Sequence, residues 1–358
     1  MEEYLYLDNA ATCPIPDLVK KNIVAALDIY GNPSSLHSVG AKALEEIEVV
    51  REKVKEYLHK KSGNVIFTSG ATEANNLLAY MAPNCSQRFL TSNIEHPSLL
   101  KANSFAIQMP VNSSGEVPID IIPDESFISI MTINNEIGSW VNKNYCRKEK
   151  NPTCVYHTDA TQVGSAEKDL SNWDMITLSG HKLGALKGIG AMWYDDAIQP
   201  YQMLKGGEQE SGLRAGTENT VGIMSLGYAL DFYKTHYNPD SWISAYKIAQ
   251  DLYDAPFVED VFYASGHSHI VSVTLKHVRA EPAIQYLDYY GIAVSGGSAC
   301  SSHSQLPSYV LKAIGRTDDE AKRTIRISLP YWGLKESDRA RERLYRTLYN
   351  MDKEIGGK

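Results

Sequence analysis

No apolar stretch of this sequence approaches the roughly 20 residues that a bilayer-spanning helix needs. The opening Met1-Glu2-Glu3-Tyr4 is acidic and lacks the charged-then-apolar pattern of a secretory leader, so a soluble, cytoplasmic protein is expected. Cysteine is scarce: Cys13, Cys85, Cys146, Cys154 and Cys300 are odd in number and scattered, with no CxxC pair. That pattern argues for reduced thiols rather than a disulfide framework, and against a zinc site. Positive charge is in deficit, 35 Lys and Arg against 43 Asp and Glu for a net charge of −8, which disfavours a general nucleic-acid binder. Repeats and low-complexity tracts are also absent. What remains is ordinary core-forming material: 358 residues, 43% hydrophobic and 22% charged. Domains usually run ~100–200 residues, so two of unequal size are expected.

Residues 41–61 place Leu44, Ile47, Val50 or Val54, and Leu58 near helical period, with acids early and lysines late, and Gly63 as the stop. A β-type run, Asn64–Thr68, follows, and then a helical stretch from Ser69-Gly70-Ala71-Thr72-Glu73 to about Met81. Further strand-like runs are Phe127–Ile133, Thr153–His157, Met175–Leu178 and Gly190–Tyr194. Strands alternating with helical segments predict an α/β domain with a mostly parallel sheet. The texture changes near Asn238. A helix at Trp242–Tyr253, a strand at Ile270–Leu275, a helix at Pro282–Tyr289 and a strand at Thr324–Ser328 predict a smaller α+β domain. It closes with a helix capped by Ser337 that aligns Ala340, Leu344, Leu348 and Met351. The division expected is 14–237 for the large domain, with 1–13 and 238–358 forming the small one.

In open parallel sheets, ligands gather outside the carboxyl ends of strands. Three segments stand out there. Ser69-Gly70-Ala71-Thr72 offers backbone N–H groups, a hydroxyl and a helix start, which suit an anion; a plain capped helix would look the same. Asp159, in His157-Thr158-Asp159-Ala160-Thr161-Gln162, is a ligand for a positive group or merely an N-cap. Lys182, in Ser179-Gly180-His181-Lys182, ends a buried strand, where desolvation lowers an amine's pKa as a Schiff-base lysine requires; a solvated loop lysine is the alternative. An anion cup, an aspartate and such a lysine are the parts of a pyridoxal-phosphate site. In the small domain, Ser295–Ser304 surrounds Cys300 with Gly, Ser, Ala and His, so this thiol is either reactive or an inert surface group, whereas Cys154 sits among apolar neighbours. Arg326 is a charge inside an apolar strand, paired with a structural carboxylate or clamping a substrate carboxylate.

These residues, in this order, resemble the cysteine desulfurases of the NifS/IscS type, within the class V aminotransferase group. The similarity runs from Tyr6-Leu7-Asp8-Asn9-Ala10-Ala11-Thr12 through Gly31–Ser35, Ser69–Asn75, Glu95-His96 and Asn134–Gly138. It continues through Asp159–Gln162, Ser179–Lys182 and Arg214–Asn219 to Gly297–Cys300 and Ile325-Arg326. The resemblance implies fold type I of the pyridoxal-phosphate enzymes, with a mostly parallel seven-stranded sheet. It implies pyridoxal 5'-phosphate on Lys182, Asp159 at the pyridine nitrogen and Gln162 at the ring hydroxyl. Ala71, Thr72, Ser179 and His181 would hold the phosphate, helped by Thr217 from the other subunit of a homodimer. His96 would stack on the ring and assist proton transfer, although alone it reads as a turn histidine. Asn135 and Arg326 would grip the carboxylate of L-cysteine. Cys300 would take the sulfur as a persulfide and pass it to an acceptor protein in iron–sulfur cluster assembly, tRNA thiolation or a similar pathway. Neither a metal, direct nucleic-acid binding nor membrane binding is implied.

The sequence departs from that pattern in places. Leu186 stands where the family usually has proline, Cys13 where threonine is common, and 119–128 looks shortened. The chain stops soon after its last predicted helix, without the tail through which housekeeping members meet their scaffold, which leaves the acceptor open. A selenocysteine lyase, or a related class V lyase or aminotransferase, would use the same cofactor residues. A non-catalytic sulfur-relay scaffold would keep the fold without needing intact Lys182, Asp159, His96 and Cys300.

Overall fold

The computed structural model describes residues 4–85, 88–118, 122–141, 151–164, 170–202, 204–238, 240–264, 268–297, 306–334 and 336–357. In chain order the elements are β1 Leu5–Tyr6, α1 Asp17–Ala26, α2 Ser38–Tyr57, β2 Asn64–Thr68, α3 Ala71–Cys85, β3 Arg88–Ser92, α4 Pro97–Leu100 and β4 Ile107–Met109. Next come β5 Ser126–Ser129, β6 Val155–Asp159, β7 Met175–Ser179, β8 Gly190–Tyr194, α5 Thr220–His236, α6 Asp240–Tyr253 and β9 Val258–Phe262. The chain finishes with β10 Ile270–Leu275, α7 Ala280–Tyr289, β11 Ile292–Ala293, α8 Tyr309–Ala313, α9 Asp318–Lys322, β12 Thr324–Ser328 and α10 Ser337–Ile355.

A seven-stranded sheet runs in the order β2-β8-β7-β6-β5-β3-β4, and β8 alone opposes the rest. The reversal has a simple cause: only 180–189 separate β7 from β8, too few residues for the crossover that a parallel pair needs. Side chains alternate between two cores. Val65, Phe67, Ile176, Leu178 and Trp193 face α2 and α5, while Ile66, Met175 and Met192 face α3. A second sheet, antiparallel in the order β12-β10-β9, packs on α6, α7 and α10 through its own core of Val271, Val273, Ile325, Ile327, Leu344 and Leu348. The N-terminal strand β1 pairs in parallel with β11 through Leu5↔Ile292 and Tyr6↔Ala293. Beyond it, Leu7 enters the second core and Ala10 the first. Among the described residues, no helix is long and apolar enough to cross a membrane.

Several expectations needed correction. Leu44 is exposed and Ala43 takes its place in the buried stripe of α2, where Ile47, Val50, Val54 and Leu58 lie as expected. That helix ends at Leu58 and His59, the latter in the left-handed region at φ 55°, before Gly63 is reached. β5 ends at Ser129, short of the expected Ile133; beyond it Ile130 and Thr132 still donate to the His157 and Asp159 carbonyls, and Ile133 bridges Trp140. β6 extends to Asp159, two residues beyond the expected end. Ser337 does not cap α10; it is the first helical residue, and Glu336 precedes it at φ 51° with no side-chain cap. Ala340 is half-buried, so the packed stripe is Leu344, Thr347, Leu348 and Met351. Strands β1, β3, β4, β9 and β11 have no counterpart among the strand-like runs of the sequence.

Candidate active site

Strands β2, β3, β5, β6 and β7 share a direction, so the turns that follow them meet at one edge of the sheet. They surround a cavity of about 390 Å³, within the range of small-molecule sites. Its walls include Ala71, Thr72, His96, Asn135, Asp159, Gln162, Ser179, His181, Lys182 and Arg326. Ten expected site residues, separated by up to 255 positions, thus share one space. Thr217 is not among them; it is exposed, in the segment before α5. Cys300 lies outside the described residues.

The turn after β2 is shaped by glycine. Gly70 takes φ 153° with open space where a Cβ would stand, and a Cβ on Gly190 would come within 2.7 Å of the Gly70 Cα. The turn can therefore sit directly against β8. Glu73 Oε2 accepts from the Ser69 N–H at 2.8 Å, while Arg214 pairs with Glu73 at 2.9 Å. The first N–H groups of α3 have no acceptor within the helix, so they suit an anion.

Asp159 ends β6 and is 5% exposed. Its Oδ1 accepts from the Thr161 N–H at 2.9 Å, and its Oδ2 from Asn75 Nδ2 at 2.8 Å. No helix starts there, so the N-cap alternative falls; the bond to Thr161 is a two-residue side-chain turn. Gln162 donates from Nε2 to the Ala10 carbonyl at 2.9 Å. Its Oε1, like Thr161 Oγ1, is buried with no hydrogen-bond partner among the described residues. Two buried acceptors thus border the cavity, a costly arrangement unless something donates to them.

Lys182 closes a short 3-10 turn, Gly180–Lys182, directly after β7. Its neighbour His181 contacts Thr12 Oγ1 at 3.1 Å. Burial, with Lys182 and Lys187 adding to it, lowers the His181 pKa to about 4, so the imidazole is neutral. His96 caps α4, and its Nδ1 accepts from the Ser98 N–H at 3.1 Å and lies 2.7 Å from Ser98 Oγ. Burial lowers its pKa as well, with Lys182 acting in the same sense and Asp159 opposing. Glu95, the residue before it, is fully buried, and burial pushes its pKa up to about 8 even though Ser92 Oγ and the Met131 N–H donate to it.

Arg326 is 1% exposed. One terminal nitrogen binds Asp8 Oδ1 at 2.7 Å and the other donates to the Asn135 carbonyl at 2.6 Å, while Nε has no partner among the described residues. A structural carboxylate thus answers the charge of this arginine, and the side chain still lines the cavity. Leu186, in the usual place of a proline, uses the N–H that proline lacks to donate to Ser225 Oγ at 3.2 Å. Sequence reasoning assigned no role to Asp8, Asn75, Ser98 or Glu73. The spacing of Thr72, Asn75 and Asn76 on a helix already predicted would have placed them on one face.

Fold and cleft together define an α/β enzyme whose lysine, aspartate and helix start meet at the carboxyl edge of the sheet. The chain belongs to the class-V aminotransferase family, whose sequence profile matches residues 5–336. It is 32% identical over 356 residues to the protein named cysteine desulfurase IscS 1 from Archaeoglobus fulgidus, covering 92% of this chain and 93% of that one. The solved structure of a NifS-like protein from Rickettsia africae superposes with a TM-score of 0.85 at 27% identity, covering 97% of this chain and 100% of that one. A structure of SspA in complex with cysteine gives a TM-score of 0.77 at 28% identity, covering 92% of this chain and 100% of that one.

Proposed function

We propose that this chain is a pyridoxal 5'-phosphate-dependent cysteine desulfurase, which forms L-alanine from L-cysteine and carries the sulfur as a persulfide on Cys300. The meeting of Lys182, Asp159 and the start of α3 in one cavity carries this reading, supported by the similarity to a protein named as a cysteine desulfurase. The cavity fits that cofactor: a ring hydroxyl can donate to the unpartnered Oε1 of Gln162, and a phosphate can occupy the N–H cup. When bound, the cofactor supplies an electron sink for the charge left on the substrate's α-carbon.

The residues then divide the work. The N–H groups of Ala71 and Thr72, with Ser179 and His181, hold the phosphate, and Thr217 of a second copy completes the hold in a homodimer. Asp159, held in place by its two donors, holds a proton at the ring nitrogen. Arg326 and Asn135 orient the carboxylate of cysteine. The Lys182 amine takes the Cα proton, and His96 moves protons at its Nε2. The Cys300 thiolate attacks the substrate sulfur: the S–S bond forms as the Cβ–S bond breaks, and Cβ then takes a proton to give alanine. The persulfide sulfur passes to an acceptor protein of iron–sulfur assembly, tRNA thiolation or a similar pathway. We place the enzyme in the cytoplasm, with residues 14–237 as the cofactor-binding domain and 1–13 plus 238–358 as the small domain carrying Cys300. The test is a pair of variants. Lys182→Ala should lose the visible absorption of the bound cofactor, and its alanine formation should fall at least ~100-fold. Cys300→Ser should keep the colour and lose the persulfide; unchanged turnover of cysteine in Cys300→Ser would overturn the assignment.

A further inference from the structure

Asn75 stands one turn after the anion cup, on the face of α3 that looks toward the turn carrying His96. Its Nδ2 has two hydrogens and uses both, one on Asp159 Oδ2 at 2.8 Å and one on Ser98 Oγ at 2.9 Å. The carboxylate fixes which way this amide points, since its oxygen would be repelled there. Ser98 Oγ, already accepting from Asn75, is free to direct its own hydrogen at His96 Nδ1, 2.7 Å away. The Ser98 N–H donates to the same nitrogen at 3.1 Å. A ring nitrogen that accepts from an N–H cannot itself carry a proton, so the proton of neutral His96 belongs on Nε2. Asn76 reinforces the arrangement by donating to the Ser98 carbonyl at 3.3 Å and to the Thr72 carbonyl at 2.8 Å.

We infer that Ser98 and Asn75 are positioning residues: the chain Asp159–Asn75–Ser98–His96 sets the His96 tautomer and ties it to the carboxylate on β6. The inference rests on the role proposed for the cavity but concerns these residues directly. It deepens that reading by saying which nitrogen of His96 can deliver a proton. Neither Ser98 nor Asn75 needs to touch the substrate. The burial that keeps His96 neutral supports the arrangement without creating it.

The experiment is 15N NMR of histidine-labelled holoenzyme, with the His96 signals identified by their loss in His96→Ala. The wild type should show an unprotonated Nδ1 and a protonated Nε2. Ser98→Ala keeps the backbone N–H but removes the hydroxyl, and should weaken the bias toward the Nε2–H form about fivefold, as loss of one hydrogen bond implies. A similar fall in kcat with little change in KM should accompany it. Ser98→Thr should restore both. An unchanged tautomer ratio in Ser98→Ala, or no rescue by Ser98→Thr, overturns the inference and leaves the desulfurase reading standing. If the ratio shifts as expected while cysteine proves not to be the substrate, the desulfurase reading fails and this one survives.

Discussion

A buried arginine is tolerable only if its charge is answered, and at Arg326 the answer comes from Asp8, 318 residues away in sequence. Asp8→Ala would leave the guanidinium stranded and should cost about 3–5 kcal/mol in urea unfolding. The same variant should raise KM for cysteine, because Arg326 also lines the cavity. His157 answers burial differently, by staying neutral: its pKa falls to about 3 from 6.5, although Asp159 lies near enough to oppose the shift. It bridges Ser129 Oγ at 2.7 Å and Thr177 Oγ1 at 3.0 Å, stitching β5, β6 and β7 together below the site. Because the folded pKa is depressed, the stabilisation is complete above pH 6.5 and is lost as pH falls toward about 3. His157→Gln should cost roughly 1–3 kcal/mol near neutral pH, yet show a flatter loss of stability below pH 6.5 in chemical denaturation. At this scale the sequence could reveal Lys182, Asp159 and Arg326, because each is a charge set where apolar residues belong. It could not reveal Asp8 or Ser98, whose importance comes from a partner that no local pattern indicates.

Elements were legible where one signal sufficed. β2, β8, β10 and β12 keep their expected bounds because buried β-branched and aromatic runs end at clear turn residues. β9 escaped because Val258–Phe262 is largely half-buried and carries Glu259 and Asp260, so it shows no apolar run. The β7–β8 connection holds a departure that only the structure explains. Its Leu186 N–H donates to Ser225 Oγ, which itself donates to the Gly222 carbonyl at 2.6 Å within α5. Ser225→Ala should therefore destabilise by about 1–2 kcal/mol, since a partly buried N–H loses its acceptor. In a Leu186→Pro background the same substitution should cost less, with a coupling of about 1 kcal/mol in a double-mutant cycle of denaturant midpoints.

For the whole molecule, the proposal that Thr217 acts across a homodimer makes a prediction that no single-chain variant could. Lys182→Ala and Thr217→Ala chains, each impaired alone, should regain activity when mixed and refolded together. In the mixed dimer, one of the two sites has both its own Lys182 and the other copy's intact Thr217. Activity that stays at the average of the two homodimers would place Thr217 in its own chain's site. The two-sheet plan could be anticipated, since the change of texture near Asn238 separates a parallel α/β pattern from a later one. How the ends of the chain interlock could not, because β1 and β11 are each two residues long.

The N-terminal strand has one more consequence, and it concerns synthesis rather than catalysis. Leu5 waits for Ile292, and Asp8 for Ser328 and Arg326, contacts among the longest in sequence that a 358-residue chain allows. Ribosomes add about 5–20 residues per second, so the first strand spends on the order of tens of seconds without its partners. The pair that sets Arg326 against Asp8 at the cavity can thus form only once β12 has been made. A nascent chain stalled before β12 would carry Lys182 and Asp159 without the Asp8–Arg326 pair beside them.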